Sequence, residues 1–89
     1  MVSKREFFNY ISEMYDETYR DEDTYLLFKE ILRTKDKAKL NELHDLTLMN
    51  KKERLAYRYA LAANGKEFTP LQLDMYLTAI QYALEQRQP

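Results

Sequence analysis

Asn64-Gly65-Lys66-Glu67-Phe68-Thr69-Pro70-Leu71-Gln72-Leu73 is the stretch on which the fold turns. Asn-Gly closes a helix well, because glycine takes the left-handed conformation of a last turn without a Cβ clash. Three residues later a new helix is signalled four times over. Thr69 can cap, Pro70 suits the first helical position, and Gln72 can reach back as the third-position partner; Phe68 and Leu73 occupy the two places of a hydrophobic staple. A β-hairpin at Asn-Gly is the alternative, but Ala62-Ala63 and Lys66-Glu67 are poor strand flanks. The stretch therefore predicts helix, turn, helix.

Working outward, the composition agrees. One glycine and two prolines in 89 residues leave too few turn formers for an all-β fold, and 45% hydrophobic with 33% charged residues is a folded rather than a disordered balance. A chain this short is one domain, residues 1–89, and needs an efficiently filled core. The expected fold class is all-α: a small antiparallel helical bundle of four to five helices with a central C-terminal helix. There is no cysteine, so neither disulfides nor thiolate metal sites can form. No run reaches the length of a membrane span, and the first residues lack the apolar block of a secretory signal. The expectation is a cytoplasmic protein, if not one peripheral to the inner face of the membrane.

Residues 1 to 23 carry seven acids and three bases, whereas residues 29 to 58 carry nine bases and five acids. The simplest expectation is that the acidic front packs near the basic middle. Overall balance, at a net charge of -1, opposes a nucleic-acid partner.

Ser3-Lys4-Arg5-Glu6 is a capping box, and Phe7, Phe8, Ile11, Met14, Tyr15 and Tyr19 recur at helical spacing, predicting a first helix over 4–19. Acids at 21–23 suit the start of a second helix, expected over 24–33 with a stripe of Leu27, Phe28, Ile31 and Leu32. The stripe then changes phase near 34–36, which predicts a break and a third helix over 36–48. Asn50 and Glu53 signal a fourth, in which Leu55, Ala56, Tyr59, Ala62 and Ala63 form the expected packing face. The last helix bears two stripes: Leu73, Tyr76, Leu77, Ile80 and Leu84 on one side, and Leu71, Met75, Thr78 and Tyr82 on the other. Either it is central, or one side meets a partner.

Catalytic and metal chemistry find no support in the residues. His44 is the only histidine, Ser3 and Ser12 are the only serines, and neither serine lies in a nucleophile motif. The acids around Asp21-Glu22-Asp23 lack the alternation and glycine of a calcium loop and read as a helix start. No cofactor site is expected, and the protein is read as a non-enzyme. The candidate partner contacts are Arg54, Tyr57, Arg58 and Leu61, which fall away from the alanine face of the fourth helix, together with Leu71, Met75 and Tyr82.

Phe7-Phe8-Asn9-Tyr10-Ile11-Ser12-Glu13-Met14-Tyr15 and Arg54-Leu55-Ala56-Tyr57-Arg58-Tyr59-Ala60-Leu61-Ala62-Ala63-Asn64-Gly65-Lys66-Glu67-Phe68-Thr69 resemble the enterocin A and pediocin-like bacteriocin immunity proteins. In that family, of small cytosolic helical bundles from Gram-positive bacteria, a helix rich in small and aromatic residues leads through a polar turn to a Phe-Thr or Phe-Pro helix start. The resemblance implies binding rather than catalysis, with a mannose-transport permease seized by a bacteriocin as the partner. The alternative is a small phage-borne or bacterial regulator or adaptor that binds another protein, a homodimer burying the second stripe of the last helix among its forms.

Overall fold

A computed structural model describes residues 2–87. Among them the chain forms five helices and no strand: α1 (Lys4–Tyr15), α2 (Glu22–Arg33), α3 (Lys37–Leu46), α4 (Lys51–Ala63) and α5 (Pro70–Gln86). The protein is an all-α helical bundle. Each helix begins on the side chain of a polar capping residue. Ser3, Asp21, Asp36, Asn50 and Thr69 each accept a backbone N–H of the first turn, and at Asn50 and Thr69 the capping box is complete through Glu53 and Gln72.

Helix ends are equally explicit. After α4, Gly65 takes a φ of 84°, the Lys66 N–H donates to the Leu61 carbonyl at 2.9 Å, and the Gly65 N–H donates to Ala62 at 3.0 Å. That pair of bonds is a Schellman closure, and it turns the chain toward α5. The first helix stops sooner than its stripe suggests. Asp16, at a φ of 52°, ends it, and Tyr19 lies in the connection instead of in the helix. Tyr19 is nonetheless buried: its N–H donates to Ser12 Oγ at 3.0 Å and its hydroxyl donates to Thr24 Oγ1 at 2.8 Å. Spacing alone could not separate a helical tyrosine from one folded back by two hydroxyl partners.

The core gathers Phe7, Phe8 and Ile11 of α1, Phe28 and Ile31 of α2, Leu43 of α3, and Leu73, Met75, Leu77, Ala79, Ile80 and Ala83 of α5. α5 packs on each of the other four helices, most extensively on α2. Apart from Leu71 at the helix start, both of its apolar stripes therefore face the bundle, which is how a helix apolar all round is accommodated. At its end, the Arg87 guanidinium donates to the Ile31 and Leu32 carbonyls at 2.8 and 3.2 Å, satisfying acceptors that the close of α2 leaves free. The expected break at 34–36 is present, with Asp36 capping α3, although Leu48 lies beyond the end of that helix and is 67% exposed.

The ion pairs do not join the acidic front to the basic middle. Lys4 pairs with Glu22, Lys39 with Glu30, Arg54 with Asp74, and Lys66 with Asp21 and Asp23. Lys66 reaches the acids at the α2 start because the Schellman turn delivers it there. Exposed pairs of this kind contribute only about 0–1 kcal/mol each, so they orient the chain more than they hold it.

A candidate protein-binding face on α4

The serines and Asp21 singled out in the sequence are engaged structurally. Ser3 caps α1, Ser12 accepts from Tyr19, and Asp21 caps α2. His44 is exposed on α3, and its carbonyl accepts the Thr47 hydroxyl at 2.6 Å. Among the described residues no three His, Asp or Glu side chains converge as a metal site. Burial pushes the Tyr19 and Tyr76 hydroxyls up to about 12, and it also raises Tyr57, half-buried beside α5. These are neutral phenols fixed in a core, not groups poised to exchange a proton near neutrality.

The partner candidates divide sharply. Leu71, at the start of α5, is 40% exposed and available. Met75 is 4% exposed, part of the core, and closed to a partner. Tyr82 is half-buried, with its ring stacked 4.0 Å from Tyr10 and 5.5 Å from Phe28. Met75 belongs to the core, and the Tyr82 ring is taken up by Tyr10 of α1 and Phe28 of α2.

The largest correction concerns α4, which is turned the other way round. Arg54, Tyr57, Arg58 and Leu61 face the bundle, and the side expected to pack, half-buried Ala62 apart, faces solvent. Tyr57 and Leu61 lie against the core. Arg58 Nε donates to the Phe68 carbonyl at 2.9 Å, tying α4 to the residue before the α5 cap. Arg54 donates to the Met49 carbonyl at 3.3 Å and lies 3.7 Å from the Asp74 carboxylate. Arginine can fill such a place because its aliphatic stem covers apolar surface while the guanidinium reaches the carbonyls at helix boundaries. The two arginines are braces, and substituting them tests stability.

What α4 shows to solvent is Lys51, Lys52, Glu53, Leu55, Ala56, Tyr59, Ala60 and Ala63. Leu55 is 44% exposed and Tyr59 70%, so two large apolar side chains stand among alanines, with the exposed charge of α4 confined to its first turn. Among the described residues α4 has no fully buried side chain, and α5 is its one substantial neighbour. The sequence did contain a signal for this orientation. Tyr57 and Leu61, four apart and flanked by Arg54 and Arg58, form a second stripe as strong in large residues as Leu55 and Tyr59. Periodicity finds both stripes and does not choose between them.

No family model matches this chain, and neither a curated protein nor a solved structure does.

Proposed function

We propose that the protein is a non-enzymatic binding module whose partner docks on the outer face of α4. The observation that carries this reading is the inversion of that helix, with charge braced inward and Leu55, Ala56, Tyr59, Ala60 and Ala63 presented to water. An exposed aromatic beside an aliphatic, surrounded by small side chains, has the make-up of an interface centre. A solvated helix would ordinarily carry charge there.

In its most specific form the reading is bacteriocin immunity. The segment from Arg54 to Thr69 that resembles the pediocin-like immunity proteins contains most of this face, and the implied partner is a mannose-transport permease held by a bacteriocin. Expression in a sensitive strain should raise survival against at least one pediocin-like peptide, and Tyr59→Glu should abolish the protection while leaving the protein folded. Unchanged sensitivity across a panel of such peptides would remove immunity as the function. Protection that survives Tyr59→Glu would move the binding face elsewhere.

A further inference from the structure

We propose that the outer face of α4 also takes a second copy of this chain, laid antiparallel along the same helix. The inference rests on the reading of that face as a binding surface and names an occupant for it. In an isologous contact every residue pair must occur twice, i with j and j with i. Six of the eight exposed positions of α4 pair with one another about a point midway between Tyr57 and Arg58. Lys52 falls opposite Ala63 of the second copy, Leu55 opposite Ala60, and Ala56 opposite Tyr59, and each pair then recurs in reverse. Each large side chain thus meets an alanine, the large-to-small matching that lets two helices approach closely. A parallel arrangement would instead set Tyr59 against Tyr59, Lys52 against Lys52 and alanine against alanine.

Charge selects the same orientation. A helix favours acids near its N-terminus and bases near its C-terminus, yet the first turn of α4 holds Lys51 and Lys52 against the single acid Glu53, whose carboxylate already accepts the Asn50 N–H, and the last turn holds no base. Neither lysine joins an ion pair among the described residues. The antiparallel copy brings Lys52 of each chain beside the closing turn of the other α4, where the free carbonyls carry partial negative charge. The two copies of Lys52 end about 16 Å apart, at about 1.5 Å per residue, which exceeds the screening length of roughly 8 Å in physiological salt. Their mutual repulsion is therefore small. Six residues a side, against the roughly 20–30 of a stable interface, make this a reversible dimer that forms with concentration.

Sedimentation equilibrium of the full chain tests the proposal. Over roughly 1 μM to 1 mM, the affinity range of a contact this small, the mass should rise from 10.8 kDa toward twice that value. Ala60→Glu, at an exposed helical position, should remain monomeric throughout with unchanged helicity and melting temperature. Because the chain has no cysteine, orientation can be read separately. Ala56→Cys mixed with Tyr59→Cys should give a mixed disulfide on mild oxidation, and Lys52→Cys alone should not cross-link to itself. A wild-type chain that stays monomeric to the highest concentration overturns the second copy, even if the same protein protects cells. Association that survives Ala60→Glu, or efficient self-cross-linking of Lys52→Cys, overturns it as well.

Discussion

α4 and α5 are consecutive helices joined by one short turn, and they use apolar residues in opposite ways. α5 is packed against all four other helices, so both of its stripes, Leu71 apart, lie in or against the core. α4 leans chiefly on α5 and turns Leu55, Tyr59 and most of its alanines outward while arginine stems lie inward. A stripe of apolar residues says that a helix has something to bury. It does not say whether the covering surface belongs to the same chain.

The contrast is sharpest for one residue type at two positions. Leu73→Ala, at 1% exposure in α5, should cost about 2–5 kcal/mol in urea denaturation, a large fraction of the stability of so small a domain. Leu55→Ala, at 44% exposure, should stay within about 0.5 kcal/mol in dilute solution. Equal losses would erase the difference between the helices.

Arg58→Ala should come next, at about 1–3 kcal/mol, because it leaves the Phe68 carbonyl without its charged donor and loosens α4 from the start of α5. A neutral outcome would return Arg58 to the surface. Gly65→Ala should cost about 1–2 kcal/mol. Nothing lies within 4 Å of the added Cβ, so the loss comes from the left-handed backbone alone. Thermal melts of the variant check this, and an unchanged melting temperature would show that the turn between the helices can close in another conformation.

The smallest effect at neutral pH belongs to the buried phenols. Tyr19 and Tyr76 titrate near 12 when folded, against an ordinary value of about 10, so the folded state holds their protons more tightly. Their contribution is fully present below about pH 10 and lost as the pH rises toward 12. Stability should be flat through neutrality and fall across that alkaline window, with the last tyrosinate absorbance appearing together with unfolding. Early titration of all eight tyrosines in a folded chain would contradict the enclosure of Tyr19 and Tyr76.

Much of the fold was legible because capping is local chemistry. Ser3, Asn50 and Thr69 announce their helices within three residues, the phase change near Asp36 marks a real break, and Gly65 closes α4 as its position after Asn64 suggests. The central place of the last helix followed from its two stripes. Tyr19 was less legible, because its burial depends on Ser12 and Thr24 catching a loop residue from either side. The orientation of α4 was hidden for a related reason. It is settled by Arg58 meeting Phe68 and Arg54 meeting Met49 and Asp74, contacts with residues outside α4 that its own periodicity cannot encode. The candidate site went with it, since Leu55 and Tyr59 stood on the side assigned to packing.

The central claim is that the apolar side of α4 faces water, and the cysteine-free chain allows it to be read directly. Single cysteines at Ala56 and at Leu61 can be labelled with a maleimide in dilute native protein, with each rate compared with that of the urea-unfolded chain. The orientation described here requires Ala56→Cys to react nearly as fast as in the unfolded state and Leu61→Cys to be strongly protected. Fast labelling at 61 with protection at 56 would turn α4 back and remove the face on which the proposed function rests.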